Sequence, residues 1–336
     1  MSKRFMVFIA TAFLFCSCEQ IFVEDTEGSD PNVVFDEAWD FAHDYYSYFE
    51  LKDVDWEDLK DKYGRQIRPD MSDQTLFDLL AEMFLELKDG HVNLVADFNR
   101  SRYIGWYFEA PENFDYSVLE RSYFEGEQEF IGPFEFHAFG DIGYCYLGSF
   151  GRDMTEGHLD ALMNQFEDKK AVIIDVRNNG GGSGMQALKL AGRFTTENRT
   201  VARRRAKNGP AAKDFTEWQN VNLKAVENPS KGFLNKPVVV LTNRRCYSAT
   251  NSFVQYMREL PDVTLIGDRT GGGAGTPKYT ELPNGWILRV SATQTQSPIG
   301  AELEAGIPPD VAREAPESSL ASGRDEILDF ALDYLN

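Results

Sequence analysis

The chain has 336 residues, with 34 Lys and Arg against 54 Asp and Glu, a net charge of −20. That balance excludes a polyanionic partner, so nucleic acid is not expected, and it discourages contact with an anionic membrane beyond what a tether would impose. The length suffices for a catalytic-sized domain with a smaller appendage.

Residues 1–18 read as a secretory leader: Lys3 and Arg4, an apolar run over 5–15, then Cys16, Ser17 and Cys18. The run is too short to span a bilayer well, and no later run approaches the needed length. The mature chain is therefore expected to be exported to the cell envelope. Cys18, following the small Ser17, resembles the lipoprotein processing site of bacterial envelope proteins, which implies a lipid anchor on Cys18 facing the periplasm or the exterior. Ordinary cleavage without a lipid is the alternative. Residues 19–32, acidic and carrying Gly28, Ser29 and Pro31, read as a flexible tether. Beyond the leader only Cys145 and Cys246 remain, better suited to buried thiols than to a disulfide framework. Histidines and cysteines are dispersed without ligand spacing, so neither a metal nor a cofactor is expected.

Residues 33–97 form a small helical domain by apolar spacing. Val34, Phe35, Ala38, Phe41 and Ala42 predict one helix and Trp56, Leu59 and Tyr63 a second. Ser72 caps a third that carries Leu76, Leu79, Leu80, Met83, Phe84 and Leu87. This last helix ends at Lys88, Asp89 and Gly90, and His91 opens a strand, which would hold an imidazole at a fixed corner. A lone histidine is more often structural than catalytic, and His43, His137 and His158 fall within predicted helices or an aromatic strand. Residues 98–140 form an aromatic-rich bridging segment with short strands and no pattern of a PDZ insert.

Residues 141–336 alternate strand and helix: strands over 142–147, 171–176, 237–242, 263–267 and 286–292, helices near 155–168, 184–195 and 248–259. That is an α/β fold with substantial parallel pairing. Residues 201–231 break the rhythm and read as a surface excursion rich in arginine.

Three turns carry chemistry. After the apolar run of Val238, Val239, Val240 and Leu241, a short polar turn leads to Ser248, and Phe253, Val254 and Met257 then recur at helical spacing. Ser248 on such an elbow is a candidate nucleophile, with the Ala249 amide and the helix start directed at developing charge. Alternatively Ser248 or Ser252 only caps the helix. The run Ile173, Ile174, Asp175, Val176, Arg177 continues into Asn178, Asn179 and three glycines, 180 to 182, before a helix. Bare amides there could hold an anion, but no Gly-Lys-Ser/Thr follows, which excludes a P-loop. Asp175 and Arg177 are expected to brace the turn. A third strand ends in Asp268, Arg269, Thr270 and Gly271 to Gly273, and Gly306, Ile307, Pro308, Pro309 and Asp310 form a further motif.

In this order, with Lys88-Asp89-Gly90-His91 before them, these motifs resemble the tail-specific, C-terminal-processing serine peptidase family over nearly the whole chain from residue 33. The resemblance implies a crotonase-like (ClpP/crotonase) α/β core, a peptide or protein substrate, Ser248 as nucleophile, and Gly181 and Ala249 as the residues whose amides form the oxyanion hole. Members with a serine-lysine dyad carry lysine where this chain has Gly273, and an acid where it has Asn251; Lys278 is a remote substitute. The tricorn-core branch instead uses a histidine from the helical domain and a glutamate near the C-terminus. His91 matches the first. For the second Leu303 is in register, so a one-residue shift favours Glu304, with Glu302 as alternative. An inert peptide-binding lipoprotein of the same fold is the rival expectation. A crotonase-type enzyme acting on acyl thioesters is a third, disfavoured by export.

Overall fold

The protein is described from a computed structural model, which covers residues 30–124 and 129–336. The leader, Cys18 and residues 19–29 of the expected tether lie outside the described residues. Asp30 accepts the Asn32 N–H and Pro31 occupies the first helical position, where its missing N–H costs nothing. Pro31 and Asn32, read from sequence as tether, thus already belong to the helix Pro31–Tyr45.

This helix packs with Trp56–Gly64 and Asp73–Leu85, the last capped by Ser72. Val34, Phe35, Ala38, Leu76, Phe77, Leu80 and Phe84 are buried between them, but Trp286, Leu288 and Val290 complete the same cluster. They come from a hairpin, Pro277–Glu281 and Ile287–Ser291, whose second strand pairs antiparallel with Asn93–Val95. The helical segment and the C-terminal half therefore share one core.

The main sheet has seven strands in the order Val311–Ala312, Val263–Gly267, Val238–Thr242, Ala171–Asp175, Ile142–Tyr146, Phe134–Phe139, Glu129–Ile131. The first five are parallel and the last two antiparallel. Its central strands, Ala171–Asp175 and Val238–Thr242, are apolar up to their last residue because both faces are covered. Helices Glu156–Phe166, Gly184–Ala191 and Ala249–Arg258 pack on one side, and Glu326–Leu335 with Phe114, Val118 and Leu119 on the other. Asp175 lies opposite Leu241 and Thr242 opposite Gly267, so the three glycine- and serine-bearing turns leave the sheet at one edge. A crevice outside the carboxyl ends of parallel strands is where open α/β sheets bind ligands.

The stretch 201–231 is not the irregular excursion expected. It holds the strands Arg199–Ala206 and Gln219–Leu223, joined to Thr293–Gln296 in a three-stranded sheet. Its arginines hide the pattern because they are matched side by side. Arg203 and Arg205 donate to Gln296 and Gln294 across the pairing and lie over Trp218.

Arg177 does brace the turn after Ala171–Asp175. Fully buried, it donates through Nε to Asp175 at 3.0 and 3.1 Å and through Nη1 to Asp325 at 2.9 Å. Asp325 also caps Glu326–Leu335 through the amides of Ile327 and Leu328. Removing the cation strands two carboxylates in the core. Arg177→Met is therefore expected to destabilise the fold by about 3–5 kcal/mol, read from urea unfolding; a change below about 1 kcal/mol would refute this role.

Candidate active site

Ser248 sits between the strand Val238–Thr242 and the helix Ala249–Arg258 with φ +61° and ψ −119°. A non-glycine residue in that region is strained and persists only when its surroundings hold it. Here its N–H donates to the Gly272 carbonyl at 2.9 Å, its carbonyl accepts from Ser252 at 3.0 Å, and the preceding Tyr247 N–H donates to Asn179 at 3.1 Å. Ser248 occupies the cap position but makes no side-chain cap bond. Its Oγ instead lies 2.9 Å from His91 Nε2.

His91 reaches this point because the helix Asp73–Leu85 unwinds through a left-handed Lys88, φ +45°. Asp89 Oδ1 then accepts the His91 N–H at 2.8 Å, and the following strand is locked to Ile287–Ser291. Gly90 is required by packing, since a Cβ there would lie 2.6 Å from Trp106 Nε1 and 2.9 Å from the Tyr247 hydroxyl. Trp106 stacks on Tyr247 at 4.1 Å, and Tyr247 borders the imidazole at 5.1 Å. His91 is 6% exposed; burial lowers its pKa from the usual 6.5, and the Asp89 charge opposes that shift. Its Nδ1 has no hydrogen-bond partner among the described residues, and the Gly275 backbone acts on the ring in the same direction as Asp89.

Glu304 lies in the same interior without being bonded to the imidazole. It is 7% exposed, with Oε2 accepting the Ala274 N–H at 2.8 Å and Oε1 3.4 Å from Lys52 Nζ. Burial, then repulsion from Asp89, pushes its pKa up to about 8 against the pull of Lys52. Glu302 turns away to the Gln296 amide. Sequence reasoning passed over Asp89. At 1% exposure it keeps one carboxylate oxygen without a hydrogen-bond partner, and its charge acts on both His91 and Glu304. Its place two residues before His91 was the available signal.

Of the two expected oxyanion donors, the Ala249 N–H stands at the helix start with no acceptor among the described residues. The Gly181 N–H donates to Asn179 Oδ1 at 2.9 Å. Gly181 nevertheless abuts the elbow: φ is +105°, and a Cβ would lie 2.8 Å from Ser248 Cβ.

Residues 141–313 match the descriptor of peptidase family S41, more than half of the chain, and residues 29–85 that of the tricorn protease C1 domain. The chain belongs to peptidase family S41. A protein named as a CtpA-like serine protease of Staphylococcus saprophyticus is 26% identical over 186 residues, 54% of this chain and 35% of that protein. The chain thus spans about a third of the length of the curated relatives it matches. The crystal structure of a candidate peptidase from Parabacteroides merdae is 39% identical with a TM-score of 0.85, covering 91% of this chain and 97% of that one. The photosystem II D1 C-terminal processing protease shares the fold at a TM-score of 0.58 and 15% identity, covering 85% of this chain and 94% of that one.

Within the S41 frame, Gly273 stands where a dyad lysine would, and the space around it is closed. Gly273 has φ +72°, and a Cβ there would enter the Tyr247 ring at 2.3 Å. Asn251 bonds the Leu303 carbonyl and accepts from Thr270 at 2.6 Å, fastening the loops that carry Gly273 and Glu304. Lys278 lies with Nζ 3.2 Å from the centre of the Tyr45 ring. Gly273→Lys should accordingly cost about 2–4 kcal/mol of stability, seen as a lowered Tm. A variant as stable as wild type would show that the Tyr247 ring yields.

Proposed function

We propose that the protein is a serine endopeptidase of the cell envelope, lipid-anchored through Cys18, cleaving peptides or unstructured protein tails through an acyl-enzyme. The observation that carries the reading is the 2.9 Å contact between Ser248 Oγ and His91 Nε2 at a strained strand-to-helix elbow. Neutral His91 takes the hydroxyl proton as Oγ attacks the scissile carbonyl. The oxyanion forms at the Ala249 amide and beside Gly181, where no charge needs to move to meet it. The imidazolium then gives its proton to the departing amine, and water repeats the sequence to release the acyl group. Glu304 enters the triad by the family resemblance alone, since its carboxyl reaches the Ala274 N–H and Lys52 rather than the imidazole; the charge that favours the imidazolium is that of Asp89. The anchor and the location rest on the residues around Cys18.

A fluorophosphonate should label wild type at Ser248, not label Ser248→Ala, and label His91→Ala at least ~1,000-fold more slowly. Equal labelling of wild type and His91→Ala would remove the base from the assignment. If neither wild type nor Ser248→Ala hydrolyses any of a peptide library while both bind it equally, the protein is a binding lipoprotein.

Because the lowered pKa keeps His91 neutral further into acid, the low-pH limb of kcat/KM is expected below pH 6.5. As pH falls through that pKa the base is lost. Glu304, raised to about 8, carries a proton at neutral pH, where an amide replaces it with little electrostatic change. Glu304→Gln should lower kcat/KM less than ~10-fold at pH 7, with the deficit widening above pH 8 as the wild-type carboxylate forms. A deficit independent of pH would exclude Glu304 from titrating in this range.

A further inference from the structure

Beside Ser248 the crevice deepens into a cavity of about 330 Å³. Ser248 and Ala249 stand at its edge, and Met185, Leu188 and Val221 supply apolar wall. One charged side chain lines it, Arg204. Strand alternation sets Arg204 apart from its neighbours. Arg203 and Arg205 face Gln296 and Gln294, whereas Arg204 lies opposite Thr295 and donates through Nε to its Oγ1 at 3.2 Å. That hydroxyl is committed elsewhere as a donor, to the Ala274 carbonyl at 2.9 Å, so it can only accept from Arg204. Arg204 is thereby tied, through Thr295 and Ala274, to the loop that also binds Glu304, and the Tyr256 hydroxyl meets its guanidinium.

Among the described residues no carboxylate pairs with Arg204, although the chain has 54 acidic and 34 basic residues. Its neighbours in the three-stranded sheet are matched by amides and rings; among the described residues Arg204 meets only two hydroxyls, those of Thr295 and Tyr256, and no acid neutralises it. A planar fork of donors in a partly apolar cavity matches a carboxylate, which it can hold through two parallel bonds. We infer that this cavity is a carboxylate subsite in which Arg204 selects substrates bearing an acidic group beside the scissile bond. The inference rests on the peptidase reading and specifies its substrates. The carboxylate can come from an Asp or Glu side chain flanking the cleaved bond or from the free C-terminus of a trimmed tail.

The test uses quenched-fluorescent peptides that differ only by Glu or Gln on either side of the scissile bond, each with a C-terminal acid or amide. Wild type should prefer the carboxylate-bearing member of one pair by about 10- to 100-fold in kcat/KM. Arg204→Met should reduce that preference below about 3-fold, and Arg204→Lys, which keeps the charge but not the fork, should fall between. A side-chain preference identifies the flanking acid, and an acid-over-amide preference the C-terminus. Equal rates on all members with wild type overturn the inference whether or not either variant folds, as does a preference that persists in a folded Arg204→Met. If wild type hydrolyses nothing, the peptidase reading fails separately, and anisotropy of the same peptides on wild type decides the subsite: tighter binding of acidic members supports it, equal binding overturns it.

Discussion

The antiparallel pairing of Asn93–Val95 with Ile287–Ser291 is the constraint on which the site depends. His91 and Ser248 are 157 positions apart, each in a turn outside any helix or strand. The register Asn93 opposite Arg289 and Leu94 opposite Leu288 fixes the strand after the histidine, and the Asp89 bond to the His91 amide fixes the turn before it. On the other side, the elbow is held by carbonyls from two separate glycine-bearing turns. The 2.9 Å placement of the imidazole against the hydroxyl thus follows from backbone hydrogen bonds on rigid elements.

Behind the imidazole the chemistry is electrostatic. Asp89, Glu304 and Lys52 share an interior with Tyr46, Tyr48 and Tyr247, whose hydroxyls burial and the two acids hold well away from ionisation. Two carboxylates with one ammonium in a poorly solvated space favour retaining a proton, and the acid pushed up to about 8 is Glu304. The charge nearest in effect to His91 is then that of Asp89. A positive charge on His91 would meet this standing negative charge rather than one that must be assembled.

Much of this was legible because the relevant signals are local. A continuous apolar run before a polar turn, glycines where the backbone is left-handed or crowded, and a helix stop before His91 each report on a few residues. The α/β alternation between residues 142 and 267 falls where it was read to within a few positions. What escaped depends on partners remote in sequence. Nothing near Arg203 to Arg205 reveals that Gln294, Thr295 and Gln296 lie opposite, so a strand looked like a charged loop. The shared core was hidden for the same reason, since Trp286 and Leu288 serve helices some two hundred positions away. Glu304 was placed by family register, which carries no information about whether its carboxylate points at an imidazole or at Lys52.

The shared core also orders events in time. The strand that follows His91 can find Arg100–Arg102 early, but its other edge and the closing aromatic of the helical cluster arrive only with residues 286–291. In chain order the Ser248 elbow and the His91 corner both precede the hairpin that brings them into register. A chain interrupted between them carries both reactive side chains without the geometry that makes them act together. Assembly of the hairpin is therefore the step that brings His91 within reach of Ser248.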